Sequence, residues 1–297
     1  MRKATRLTKR LRGAHLARLV VVTHALDQFI WRDDAGRRGS PYLLYGILLR
    51  LEKLGHSWIL PMGPKVVRGD IAILHVDATV VAEEYLALQS RYAMTINFAV
   101  ADNSKRRISR NLLTSGDDWA GPVIVKSNLN SGGQMEEFHN GRATLLGLPA
   151  PHPGATVWND YRVLGNIDEV ADEVWSDTSL VVERFLPERD GGDRFAYRTW
   201  VFMGERERCN RFVTASPISK GAGVIDYAPI GVPDQMRAER ARLGFDFGSF
   251  DFVVHDGEPV LLDANRTPGL AAALDRMIRA GHQNLAEGLD KLIRERC

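Results

Sequence analysis

Cysteine is nearly absent from this 297-residue chain: Cys209 and Cys297 are the only two. Two such residues exclude a disulfide framework and a thiolate metal cluster, and their scarcity fits a reducing cytoplasm. Long apolar runs are missing as well. The longest, around Leu19 to Thr23, is strand length and falls far short of the roughly 18 residues a membrane span needs, so no membrane association is expected. An excess of charge of one sign is also lacking, with 39 Lys and Arg against 37 Asp and Glu. A net charge of +2 gives no reason to expect nucleic acid or an anionic lipid surface as partner. Acids are absent only locally. Before Asp27 the chain carries Arg2, Lys3, Arg6, Lys9, Arg10, Arg12 and Arg18. This basic tail, residues 1–18, reads as a transit peptide or contact arm, or as a disordered or helical tail beside the first strand. Internal repeats and low-complexity tracts are absent too.

What is present is an ordinary globular composition, 44% hydrophobic. A chain of this length buries on the order of three-quarters of its unfolded surface and is expected to form two or three lobes. The fold class is α/β (α+β). Residues 19–102 alternate strands and helices: the β-branched run Leu19 to Thr23, a helix from Pro41 to Leu54 stopping at Gly55, extended Ser57 to Leu60, and the strand Gly69 to His75. His75 and Asp77 stand at a strand's C-terminal end, either as ligand-contacting groups or as a satisfied histidine and a turn aspartate. The helix over 41–54 is a candidate interface for a homodimer. Residues 103–186 begin with a basic amphipathic helix over Asn103 to Leu113, then a strand ending on Lys126 and the loop Ser-Asn-Leu-Asn-Ser-Gly-Gly133. The glycines and backbone donors of that loop suit a phosphate. Further strands follow over 157–164 and 180–186. Residues 187–297 are richer in strand, with a hairpin turn at Gly204-Glu205, a helix from Asp234 to Leu243 and a closing helix from Gln283 to Arg294.

The stretch Gly248 to Val254, His-Asp-Gly-Glu, then Pro259 to Gly269 carries the densest chemistry. Asp263 and Asn265 share a strand face because side chains alternate with period 2. Whether Asp251 joins them depends on the turn. A two-residue Asp256-Gly257 turn pairs His255 with Glu258 and leaves the two aspartates on opposite faces. A three-residue loop over 256–258 puts Asp251 across from Asp263, and that loop is expected. Two carboxylates about 5 Å apart repel by roughly 3 kcal/mol at an effective dielectric near 20, so a shared face calls for a cation. The all-oxygen set suits Mg²⁺ or Mn²⁺ rather than zinc. The competing reading is that these are solvated strand ends before the Thr-Pro-Gly bend.

Taken in order, Lys105, Val-Ile-Val-Lys126 with its loop, Val-Val-Glu183-Arg-Phe-Leu, Arg198, Asp251 and Asp263-Ala-Asn265-Arg-Thr-Pro-Gly resemble the ATP-grasp superfamily over roughly residues 100 to 270. The type resembled is the carboxylate–amine ligase, as in ribosomal-protein glutamate ligases and D-alanine ligases. The resemblance implies a preceding α/β lobe (19–102), a small lid lobe (103–186) and a C-terminal lobe with the metal site (187–297). It implies ATP contacts from Lys105 and Lys126 on the phosphates, Ser131, Gly132 and Gly133 over them, and Glu183, Arg184, Phe185 and Leu186 as the adenine linker, with Glu188 on the ribose. Arg198, Arg211 and Arg266 are implied for the transferred phosphate or an anionic substrate, and Asp251, Asp263 and Asn265 for Mg²⁺. The expected reaction activates a small-molecule or peptide carboxylate as an acyl phosphate for an amine acceptor, releasing ADP and phosphate. A kinase on the same scaffold and a non-catalytic nucleotide-binding or regulatory partner are the alternatives. Asp263 stands where glutamate is usual, which leaves the number of metal ions open.

Overall fold

The computed structural model describes residues 16–296 apart from 33, 35, 159, 219–222 and 270–274. The basic tail therefore lies almost wholly outside the described residues, as does Cys297. The chain opens with β1 (Arg18–Val22), the small pair β2 (Trp31–Arg32) and β3 (Arg38–Gly39), helix α1 (Leu43–Leu54), β4 (Ser57–Ile59), β5 (Ile71–Leu74), α2 (Glu83–Leu86) and β6 (Met94–Ile96). A middle segment follows: α3 (Lys105–Ile108), β7 (Val123–Ser127), α4 (Gln134–Leu145), β8 (Arg162–Leu164), α5 (Asp172–Ser176) and β9 (Leu180–Arg184). The last segment holds β10 (Glu188–Arg189), β11 (Phe195–Met203), β12 (Arg206–Thr214), β13 (Val224–Ile230), α6 (Asp234–Leu243), β14 (Phe247–His255), β15 (Glu258–Asn265) and α7 (Asp275–Arg296).

Leu19, Val20, Val21 and Val22 are all fully buried. That is why β1 reads as an unbroken apolar run, since a central parallel strand is covered on both faces. It lies between β4 and β5 in a parallel sheet of order β4-β1-β5-β6. On one face Leu43, Leu44, Ile47, Leu48 and Leu51 of α1 meet Leu285, Ala286, Leu289 and Ile293 of α7. The apolar stripe of α1 is thus covered within the chain. Gly55, at φ 100°, closes the helix in the left-handed conformation that glycine alone adopts cheaply.

The three-stranded middle sheet is antiparallel, order β8-β7-β9. Expected strands and helices shorten here. The helix over 103–113 ends at Ile108, because the following residues are drawn into pairing with β9: Leu113 N–H donates to Val182 O, and Arg184 N–H to Asn111 O. Helix α4 has no counterpart in the sequence expectations, since its buried face is built from Glu136, His139 and Ala143 rather than an apolar stripe.

The C-terminal sheet runs β13-β12-β11-β14-β15, with β10 beside β11. Its Gly204-Glu205 turn is the expected two-residue hairpin, pairing Met203 with Arg206. The hairpin β14–β15 departs from expectation. Its turn has two residues, Asp256 (φ 50°) and Gly257 (φ 85°), so His255 pairs with Glu258. The three-residue loop expected over 256–258 is therefore corrected. A bulge placing Leu262 as an extra residue between Leu261, opposite Phe252, and Asp263 shifts the register, and Asp251 still comes to lie opposite Asp263. Asn97, at φ 65°, docks the N-terminal lobe on this sheet: its Oδ1 accepts from Asp246 and Phe247 N–H, and its Nδ2 donates to Phe247 O.

Candidate active site

The middle sheet and the C-terminal sheet both contribute to a cleft that the bulged hairpin lines with Asp251, Val253, Leu262 and Asp263. Lys105, Lys126, Glu183, Arg184, Phe185 and Leu186 line it together with Asp251 and Asp263. Each cation is placed by local bonding. Lys105 N–H donates to Asn128 O at 2.9 Å, Arg106 N–H to Asn128 Oδ1 at 3.0 Å, and Asn103 Nδ2 to Ala264 O at 3.2 Å. These bonds fasten the start of α3 between β7 and β15, and the Lys105 ammonium meets the Asp263 carboxylate there.

Lys126, one residue before the end of β7, makes a 2.6 Å ion pair with Glu183 of the neighbouring β9, which lies opposite Ile124 in the ladder. Its ammonium also donates to the Leu262 carbonyl at 3.5 Å, the carbonyl of the bulge residue. Burial by itself lowers the lysine, but the Glu183 carboxylate outweighs it and holds the ammonium above its usual range. Glu183 is thus the buried counter-ion of Lys126, and the chain that follows it, Arg184 to Leu186, lines the cleft. Arg184 lies over the Trp119 ring at 5.0 Å.

Asp251 is half-buried where its strand lines the cleft. Burial pushes its carboxyl up to about 6; Asp263 opposite adds to the rise, while the Thr199 hydroxyl donating at 2.6 Å and the Lys105 ammonium oppose it. A carboxylate held this far from its ordinary value, facing another carboxylate, is a group short of positive charge. Asn265 shares the face of Asp263, but its Oδ1 accepts from Thr267 N–H at 2.9 Å and lies 3.2 Å from the Thr267 hydroxyl oxygen. A cation shared with the aspartates would use the remaining capacity of that oxygen.

No family model matches the sequence, and no curated protein matches it. Among solved structures the chain is similar to the ATP-grasp ligase PsnB complexed with a minimal precursor, at 13% identity and a TM-score of 0.53 over 95% of this chain and 99% of that one. It is similar to PsnB complexed with a phosphomimetic variant of the minimal precursor, Mg and ADP, at 13% identity and a TM-score of 0.51 over 94% and 98%. It is similar also to the macrocyclase MdnC from Microcystis aeruginosa MRC bound with precursor peptide MdnA, at 8% identity and a TM-score of 0.52 over 94% and 99%. The chain has the ATP-grasp fold. Identities this low carry the fold alone, so the chemistry rests on the residues in the cleft.

Other expected residues stand outside the lining of the ATP-grasp cleft. Ser131, Gly132 and Gly133 take consecutive left-handed conformations, φ 48°, 66° and 82°, and lead into α4. The loop is tied down: Asn130 N–H donates to the Thr79 hydroxyl at 2.9 Å and Trp158 N–H to Gly132 O at 2.9 Å. A Cβ at residue 133 would lie 2.9 Å from Thr156 O, so glycine is required there by space and by φ. Arg198 and Arg211 face each other across β11 and β12, and both bind Glu188, which accepts Val254 N–H at 2.7 Å as well. Burial raises the Glu188 carboxyl, but Arg198 and these other donors prevail and hold it low. The expected ribose acceptor is therefore already occupied by two arginines.

Arg266 is corrected outright. It is 1% exposed, and its guanidinium donates to the carbonyls of Val76, Ala78 and Val100, so it braces the junction with the N-terminal lobe rather than holding a substrate. Asp77 of the same junction accepts from Thr267 Oγ1 at 2.6 Å and meets the Tyr42 hydroxyl at 2.9 Å. That hydroxyl lies 2.8 Å from Asp27 as well. One hydroxyl has one proton to give, so one of the two carboxyls must carry its own. Burial pushes Asp27 up to about 7. His75 is enclosed by Phe29 and Tyr42, with neither ring nitrogen hydrogen-bonded. Tyr161, Tyr197 and Leu262 line the cleft and were not singled out from sequence. Tyr161 lay within the expected strand over 157–164, but only residues 162–164 form one.

Proposed function

We propose that the protein is an ATP- and Mg²⁺-dependent ligase that activates a carboxylate as an acyl phosphate and joins it to an amine. The observation that carries this reading is the convergence of Lys105, Lys126, the 184–186 linker, Asp251 and Asp263 on one cleft. The linker offers backbone groups to the adenine edge, with Phe185 or Leu186 beside the ring. The two lysines would bind the ATP phosphates as point charges, leaving Asp263 and Glu183 as their counter-ions once the nucleotide departs. Asp251, Asp263 and Asn265 fit a hard divalent ion: they supply oxygen only, and Asp251 is a half-buried carboxylate facing a second carboxylate, its affinity for a proton raised despite the Thr199 hydroxyl and the Lys105 ammonium. Bound there, Mg²⁺ or Mn²⁺ would supply charge neutralisation on the phosphates.

In the first step the substrate carboxylate oxygen bonds to the γ-phosphorus as the bond to the β,γ-bridging oxygen breaks, and ADP leaves. In the second, the amine nitrogen bonds to the acyl carbon, phosphate departs and the amine proton passes to solvent. The chain's own contribution is positioning and fixed charge. Arg198 and Arg211 form a cationic pair adjoining the cleft, and exchange of Glu188 for phosphate oxygens would turn them onto the transferred group. MdnC is bound with a precursor peptide and PsnB is complexed with a minimal precursor, which makes peptide carboxylates the first class to offer beside small acids. The test is ADP and free phosphate release from ATP with pooled carboxylates, peptides included, and pooled amines. The proposal expects release that needs both acceptor classes and vanishes in Asp263→Ala. A stable phosphorylated product without free phosphate would establish a kinase instead, and absence of Mg²⁺-ATP binding would remove both readings.

A further inference from the structure

Three histidines from separate parts of the chain meet where α4 rests on the N-terminal sheet. His24 follows β1, His139 lies on the buried face of α4, and His152 sits in the connection from α4 to β8. Each offers a ring nitrogen within 4.8 Å of those of the other two. His139 is fully buried, and its Nε2 has no hydrogen-bond partner. Its Nδ1 is 3.3 Å from His152 Nε2. The same separation is the edge of a tetrahedron of nitrogens about 2.0–2.1 Å from a zinc ion, roughly 3.3 Å.

Asn140 fixes the His152 backbone on the helix independently of the rings. Its Nδ2 donates to His152 O at 2.8 Å, and its Oδ1 accepts His152 N–H at 2.9 Å. Burial pushes His24 down to about 4 and His139 to about 3, and lowers His152 in the same direction. All three are therefore neutral near pH 7, with lone pairs available and no proton to expel when a metal binds.

We propose that His24, His139 and His152 form a second metal site, for a borderline divalent cation of the zinc class, distinct from the oxygen-ligated site at Asp251 and Asp263. Three imidazoles suit Zn²⁺ or Co²⁺ and do not suit Mg²⁺, whereas the carboxylate pair has the opposite preference. Three protein ligands leave the fourth position to solvent. The His24 ring lies on the His139 ring, centroids 3.8 Å apart and planes at 18°, and its Nδ1 accepts Leu26 N–H at 3.2 Å. An ion sits in the plane of each ring that binds it. Uptake thus requires the buried His24 ring to turn about its Cβ–Cγ bond, intrinsically a broad torsion, at the expense of its stack on His139 and its bond from Leu26 N–H. The ion would then join the end of β1 to α4, the helix that continues the Ser131–Gly133 loop, and fix that loop against the N-terminal lobe alongside its bonds to Thr79.

The test is Co²⁺ titration of the chelator-stripped full chain, followed by visible absorption, with bound zinc counted by elemental analysis. Expected is one equivalent per chain, a tetrahedral Co²⁺ band that Zn²⁺ displaces and Mg²⁺ does not, and a zinc-dependent rise in melting temperature. His139→Ala and His152→Ala should each abolish the band. His152 is only half-buried in a connecting segment, so His152→Ala keeps the test decisive if the His139 variant does not fold, with circular dichroism and Mg²⁺-ATP binding as fold controls. Absence of a Co²⁺ band in the wild-type chain, or a band unchanged in folded His152→Ala, overturns the proposal and leaves a cluster of stacked neutral imidazoles.

Discussion

Asp251→Asn offers a sharp test of the paired carboxylates, because it should remove metal binding while making the metal-free protein more stable. In the folded chain the Asp251 carboxyl is pushed up to about 6 from its ordinary 3.8. Between those values the folded state keeps a proton that the unfolded chain has released, so stability falls as pH rises from about 4 to about 6 and stays lower above. Each pH unit of that gap is 1.36 kcal/mol, so the ionised carboxylate costs the native state about 3 kcal/mol near pH 7.5. Asparagine has the same shape, carries no charge and still accepts the Thr199 hydroxyl. Thermal melts without metal should show the variant melting about 4–10 °C higher at pH 7.5, at a few degrees per kcal/mol for a chain this long. The difference should shrink toward zero at pH 4.5. Adding Mg²⁺-ATP should raise the wild-type melting temperature and leave the variant unmoved. A variant less stable than wild type at pH 7.5, or a difference that does not change between pH 5 and 8, would refute a disfavoured ionised carboxylate at this position.

Lys126→Met leaves Glu183 buried without its cation and should cost about 3–5 kcal/mol in urea melts, most of it recovered in the double variant Lys126→Met, Glu183→Gln. Gly133→Ala forces a side chain into a left-handed conformation and toward Thr156 O; a loss of about 1–3 kcal/mol is expected, with weaker Mg²⁺-ATP binding by calorimetry. Arg266→Met strips donors from three buried carbonyls and should destabilise the fold by about 3 kcal/mol or more. If any folded Arg266→Met fraction binds Mg²⁺-ATP normally, the bracing role stands; a selective loss of substrate affinity with an unchanged melt would restore the catalytic one.

Local pattern made much of this protein legible. The β-branched run of β1, the leucine spacing of α1 closed by Gly55, the bounds Asp234 to Leu243 of α6 and the hairpin at Gly204-Glu205 follow from periods of 2 and 3.6 and from turn chemistry, which neighbouring residues alone dictate. The motif order from Lys105 to Asn265 is linear too, and the ATP-grasp fold it pointed to is the one found. The helix over 103–113 was misjudged because its second half pairs with β9, a partner about seventy residues away. Helix α4 was missed because it buries Glu136 and His139, polar residues whose partners Thr79, His24 and His152 come from elsewhere in the chain.

The sequence by itself determined which residue types were available for an oxygen-ligated cation and in what order they occur. Only the tertiary structure decided how they meet. An Asp-Gly turn dictates one register, and a single extra residue at Leu262 undoes it, because the ladder of a long hairpin relaxes into a bulge where packing favours a change of face. Lys126 with Glu183, Arg266 with three carbonyls, and three histidines around one point are likewise products of chain segments far apart in sequence. No periodicity records such meetings; burial and the pairing that buried charge demands create them.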